Sequence, residues 1–251
     1  MLAIMSALTE EIEHLVAEMG PTAEIFSRGM RNYHKGVLWG TPVVLVFSRW
    51  GKVSAAATSA CLISEFGATG IIFTGVAGAV DPRLKVGDVV IGNRLYQHDM
   101  DARPLFERHE IPLLKITAIP TDAVLRAQLE KAAADFLQHG VHTALTATAR
   151  KRFNLTAPKS VTLDVASGDK FFANKAEVRE LRSRLPVGCV EMEGAAVAQV
   201  CLEHSIRFGL IRTISDSADE AAPIDFLAFI KEVAAVYSHG IIKNFLKNRA
   251  K

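Results

Sequence analysis

Short apolar runs alternating with longer helix-patterned segments constrain this chain more than any other feature. Residues 2–5, 43–47, 70–73, 86–91, 161–165, 187–190 and 208–214 have the length and apolar content of buried strands. Helical patterns occupy 9–19, 53–65, 122–137, 175–184, 192–204 and 225–246. An α/β domain buries such runs by covering a sheet with helices on both faces. Residues 24–47 break the rhythm, because Gly36, Gly40 and Pro42 punctuate alternating apolar positions and predict a strand meander. The expected sheet is therefore mixed. No repeat or Pro/Ser-rich linker divides the 251 residues, a length that one core can serve, so residues 1–251 are expected to form one domain.

A net charge of +2 gives no electrostatic reason to expect a polyanionic partner, and nucleic acid is not expected. The basic clusters at 150–152, 179–184 and 243–251 are short, and acids or apolar residues interleave with or flank them, as on solvated helix faces. Cys61, Cys189 and Cys201 are scattered, without the spacing of a disulfide framework or a zinc site. Cys201 and His204 can share a helix face, but two such residues are ordinary packing. The opening MLAIMSALTEEIEHL lacks the basic start of a signal peptide. The longest apolar stretch, 70–80, falls short of the roughly 20 residues that span a bilayer. The expectation is a cytoplasmic protein without a membrane partner.

In open α/β sheets, ligands bind beyond the carboxyl ends of strands. Four such ends carry unusual residues, at 6–11, 74–78, 191–194 and 215–219. In the first helix Leu8, Ile12, Leu15, Val16 and Met19 form an apolar stripe, and Glu11 lies on it while Glu10 and Glu13 do not. A first-turn acid complements the helix dipole, yet an inward carboxylate needs a partner or a task. Glu193 stands with Glu191 and Met192 at the head of a helix rich in small residues, which predicts a buried first turn. Arg212 interrupts an apolar strand and requires an anion nearby, for which Glu193 and Glu11 are the candidates. Asp216, after Ser215, ends that strand and is equally suited to a cap; Asp219 is expected to be a turn or capping acid. Gly75-Val76-Ala77-Gly78 suggests close backbone approach to a ligand, without the spacing of a dinucleotide fingerprint. Phe171-Phe172, after Gly168-Asp169, is a loop aromatic pair that core packing also explains.

Together these residues suit N-glycoside cleavage, which passes through an oxocarbenium-like sugar. One carboxyl protonates the departing base, a second orients water and a third holds the sugar hydroxyls, with an aromatic to stack on the base.

The motifs VEMEG at 190–194, RTISDSAD at 212–219, FTGVAG at 73–78, KVGDVV at 85–90 and SGDKFF at 167–172 resemble the 5'-methylthioadenosine/S-adenosylhomocysteine nucleosidases of the nucleoside phosphorylase-like superfamily. The resemblance runs in matching order from the first strand to the last helix. It implies a three-layer α/β/α sandwich with a mixed central sheet, and a homodimer that uses no metal or cofactor and acts on a small-molecule adenine nucleoside. By the same resemblance Asp216 protonates the adenine N7, positioned by Ser215, and Glu11 activates water with help from Arg212. Glu193 binds the ribose hydroxyls beside Met192, Phe171 stacks on adenine and the Phe172 backbone reads its edge. Gly78 allows close approach to the base, and Leu8, Trp50 and Phe226 form part of the pocket for the 5' substituent.

Two departures bear on substrate choice. Val76 stands where well-known bacterial members carry serine, and Arg49-Trp50 replaces a smaller pair. The segment 97–120, with Pro104-Leu105-Phe106 and Pro112, is expected to act as a wall or lid near the 5' pocket. Methylthioadenosine, adenosylhomocysteine, 5'-deoxyadenosine and aminodeoxyfutalosine all remain open. A nucleoside phosphorylase is the nearest alternative, and Arg49 is the residue that favours it. A non-catalytic nucleobase-binding or storage relative is the other, although such a protein should have lost one of the acids.

Overall fold

The computed structural model describes residues 1–216 and 226–249. Its strands are β1 (Leu2–Ser6), β2 (Glu24–Arg28), β3 (Arg31–Leu38), β4 (Thr41–Phe47), β5 (Gly70–Thr74), β6 (Val76–Ala79), β7 (Val89–Gln97), β8 (Ile119–Pro120), β9 (Ser160–Ser167), β10 (Cys189–Glu191) and β11 (Arg207–Asp216). The helices are α1 (Glu10–Met19), α2 (Lys52–Ser64), α3 (Ala123–Asp135), α4 (Val141–Ala144), α5 (Ala147–Arg152), α6 (Lys175–Arg184), α7 (Gly194–Glu203), α8 (Phe226–Phe229) and α9 (Ala235–Arg249).

The strands join in one sheet, ordered β2-β3-β4-β1-β5-β11-β6-β10-β9-β7-β8. Parallel pairing holds β4, β1, β5 and the first half of β11 together. The β2-β3-β4 meander is antiparallel, as its turn residues predicted, and β6 runs antiparallel to β10. The period-2 alternation of β1 shows how the layers form. Leu2 and Ile4 belong to the core that contains Leu15, Leu129 and Phe245, under α1, α3 and α9. Ala3 and Met5 face the opposite way, into the core of Ala55, Leu62 and Val197 under α2 and α7. The result is the expected three-layer α/β/α sandwich with a mixed central sheet.

Local differences have local causes. Residues 76–79, not among the strands expected from the sequence, form β6, which pairs with both β11 and β10. Four small residues are too few to display a strand period. The strand expected over 86–91 starts only at Val89, because Gly87 turns the chain at φ +88°. Asp88 then accepts from the Lys85 and Lys159 amides. The last helix is interrupted by a wide turn over 230–234 between α8 and α9. Asp219 and the helix start expected at Asp225 lie outside the described residues.

Strand β11 changes neighbours along its length. Its first half lies beside β5, and its second half lies between β6 and β7. That path carries Arg212 through the middle of the sheet and delivers Ser215 and Asp216 to the edge where β1, β5, β9 and β10 also end.

Candidate active site

Residues at these strand ends enclose an open cavity with about 610 Å³ of empty space. The predicted site residues Leu8, Glu11, Trp50, Val76, Gly78, Phe171, Phe172, Met192, Glu193, Arg212, Ser215, Asp216 and Phe226 all line it. Ala7, Gly75, Ala77, Lys170, Val190 and Glu191 complete the wall. Within the single chain, no described residue of 97–120 lines it. That segment leaves the end of β7 and touches the loop behind Phe172 instead, where His98 meets the Phe172 ring edge-on at 5.2 Å.

Glu11 sits in the first turn of α1 and is fully buried. Its Oε2 accepts from the Ser6 hydroxyl at 2.8 Å and from the Leu8 amide at 3.3 Å. Its Oε1 has no hydrogen-bond partner among the described residues and lies close to Gly75, where an added Cβ would come within 3.4 Å. Burial raises this carboxyl to about 7, against the opposing pull of the Ser6 hydrogen bond and the Arg212 charge. A carboxyl with a free oxygen and a proton affinity near neutrality is suited to general-base work.

The buried Arg212 finds its anion in neither residue expected. Its Nη2 lies 2.6 Å from Glu191 Oε2, and Nε donates to the same oxygen at 3.2 Å. Nη1 donates to the Phe73 and Ile211 carbonyls, and the guanidinium lies 4.2 Å from the Phe73 ring centroid. Glu191 also accepts from the Ser167 hydroxyl and from the Gly194 amide at 2.9 Å, the first residue of α7. Its remaining lone pairs are thus satisfied, the condition under which a buried ion pair is tolerated. Glu191 is the residue that sequence reasoning missed. The signal was the pair of glutamates around Met192, of which the strand's final residue turns into the sheet and the helix's preceding residue turns into the cavity.

Glu193 is that second carboxylate, buried, with Oε1 accepting from the Gly51 amide at 2.8 Å. Burial first, and then the Glu191 charge, hold its proton affinity well above the usual carboxylate range. Asp216 Oδ2 accepts from the Ser215 hydroxyl at 2.6 Å. On the apolar side, the Phe226 ring stands edge-on to both Phe171 at 5.7 Å and Trp50 at 6.3 Å. Phe171 and Trp50 remain substantially exposed at the mouth. Arg49 adopts the left-handed conformation at φ +73°, and its guanidinium turns to the Met30 carbonyl at 2.8 Å instead of lining the cavity.

The site therefore holds several carboxylates around a cavity with Trp50, Phe171, Phe172 and Phe226 in its wall, and the buried Arg212 is already neutralised. It suits a reaction in which positive charge develops on a bound ring while a group departs.

Comparison with known proteins agrees with this architecture. Residues 1–247 match the family model of the phosphorylase superfamily. A 5'-methylthioadenosine/S-adenosylhomocysteine nucleosidase of Colwellia psychrerythraea is 35% identical over 216 residues, covering 85% of this chain and 82% of the relative. An aminodeoxyfutalosine nucleosidase of Helicobacter pylori is 31% identical, with 93% of each chain covered. The solved structure of the Neisseria meningitidis 5'-methylthioadenosine/S-adenosylhomocysteine nucleosidase, in complex with methylthio-immucillin-A, superposes with a TM-score of 0.85 at 34% identity over 98% of each chain. The chain belongs to the phosphorylase superfamily. Within it the chain groups with the nucleosidases, which are N-glycosyl hydrolases.

Proposed function

We propose that this chain hydrolyses the N-glycosidic bond of 5'-substituted adenine nucleosides, releasing adenine and the 5-substituted ribose. The observation that carries this reading is Glu11, a buried carboxyl of the cavity wall with one oxygen that has no hydrogen-bond partner among the described residues. A phosphorolytic site must hold a dianion, and a carboxylate at that place repels one but orients neutral water. Arg49, which spoke for a phosphate site, does not line the cavity and donates to the Met30 carbonyl.

In the proposed mechanism, adenine stacks on Phe171 with its edge against the Phe172 backbone, and Gly78 admits it closely. Asp216, positioned by the Ser215 hydroxyl, protonates N7 and so withdraws electrons from the breaking bond. Glu193 holds the ribose hydroxyls beside Met192 and favours the cationic sugar. Glu11 takes a proton from the attacking water, and Arg212, neutralised by Glu191, fixes the electrostatics around it. Leu8, Val76, Trp50 and Phe226 supply an apolar surface for the 5' substituent. Methylthioadenosine and adenosylhomocysteine are the first candidates, and aminodeoxyfutalosine is the alternative that the Helicobacter pylori relative's name brings in. We place the enzyme in the cytoplasm as a one-domain homodimer.

The test is adenine release from methylthioadenosine at increasing phosphate. The expected outcome is a rate independent of phosphate, with free methylthioribose as co-product. A rate proportional to phosphate, with a sugar 1-phosphate product, would overturn hydrolysis. Tight adenine binding without turnover would favour a binding protein. Side-by-side kcat/KM values on the candidate nucleosides then identify the 5' substituent.

A further inference from the structure

The sugar-side carboxylate and the base-side loop are tied together outside the cavity. The Gly51 amide donates to Glu193, and the next amide, that of Lys52, donates to Asp169 Oδ1 at 2.7 Å. The Lys52 ammonium donates to Asp99 Oδ1 at 2.7 Å and to Gln97 Oε1 at 3.2 Å. Asp99 Oδ2 in turn accepts from the Asp169 amide at 2.9 Å. The bonds close a ring that joins the start of α2, the end of β7 and the loop 168–172. Lys52, Asp99 and Asp169 do not line the cavity. Behind the loop, the His98 ring packs on Gly168 so tightly that a Cβ there would collide with it. The loop is thus backed by one ring and strapped by charges.

We infer that Lys52, Asp99 and Asp169 form a strap that sets the distance between Glu193 and the Phe171-Phe172 loop, so that Lys52 is a positioning residue for base binding. The inference rests on the proposed role of that loop in holding adenine. The ion pair is only partly exposed, with side-chain accessibilities of 18% for Lys52 and 31% for Asp99, so solvent screens it incompletely. Without the strap the loop must be ordered at the moment of binding, and that cost appears in affinity before it appears in the chemical step.

The experiment measures adenine affinity by calorimetry, and KM and kcat on methylthioadenosine, for the full chain and for Lys52→Met, Asp99→Asn and Lys52→Arg. Loss of a charge-assisted bond should weaken adenine about tenfold in Lys52→Met and Asp99→Asn, raise KM in proportion and leave kcat within about threefold. Lys52→Arg should retain most of the affinity. Should Lys52→Met fail to fold, the near-isosteric Asp99→Asn carries the same test. Adenine that binds Lys52→Met and Asp99→Asn as tightly as the parent overturns the strap alone, as does a fall in kcat with KM unchanged. A parent chain that fails to bind adenine removes the loop's role and the strap with it.

Discussion

Glu191 Oε2 lies 2.6 Å from Arg212 Nη2, and both side chains are almost completely buried. This pair forms part of the cavity wall and joins β10 to β11. Arg212 can therefore stand near Glu11 without bonding to it, leaving one Glu11 oxygen available.

Removing one partner of a buried ion pair strands the other charge. Glu191→Gln should destabilise the fold by about 3–5 kcal/mol, measured by denaturant unfolding. Activity should fall as well, because the variant leaves Arg212 to draw Glu11 toward itself. Unchanged stability would show that the Phe73 and Ile211 carbonyls suffice for the guanidinium.

Glu11 links stability to activity in opposite directions. It holds its proton more tightly when folded, at about 7 against 4.5 for an ordinary glutamate. The stability this contributes is complete below about pH 4.5 and is lost as pH rises through about 7. General-base action needs the ionised form, so kcat/KM should rise with pH along an acidic limb near 7. Glu11→Gln should be inactive. It should also be more stable than the parent at pH 8, by up to about 3 kcal/mol, with a flatter stability profile from about pH 5 to 8. Equal unfolding free energies at pH 8 would return Glu11 to the role of a helix-dipole acid.

Asp216→Asn should lower kcat by about 10²–10⁴-fold while adenine still binds, since general-acid catalysis contributes that much. Ser215→Ala should cost less, because it removes only the hydroxyl that orients the carboxyl. Near-parent turnover in Asp216→Asn would remove Asp216 from the mechanism.

Trp50 stands against Phe226 at the open end of the cavity. Trp50→Ala should reduce kcat/KM for methylthioadenosine about tenfold by removing apolar contact, and adenosylhomocysteine should lose less. The ratio of the two specificity constants reads this directly. A ratio that does not move would place Trp50 outside the 5' subsite.

Much of this molecule is legible in its residue order. Helical period placed Glu11 on the buried stripe of α1, and the cost of an unpaired charge demanded an anion for Arg212. Turn residues predicted the β2-β3-β4 meander, and the motif at 190–194 marked a strand-to-helix junction. Short elements were not legible. β6, α4 and α5 are too brief to show a period, and only pairing with β10 and β11 makes 76–79 a strand.

The amino-acid order by itself determined the layers and the residue types at the strand ends, because burial periodicity and the cost of buried charge are local to each element. Tertiary structure alone decided which glutamate meets Arg212 and where Arg49 points. It also kept the segment 97–120 out of the wall of the same chain's cavity. Those outcomes depend on the angles and distances at which separate elements pack, and no spacing along a single strand or helix encodes them.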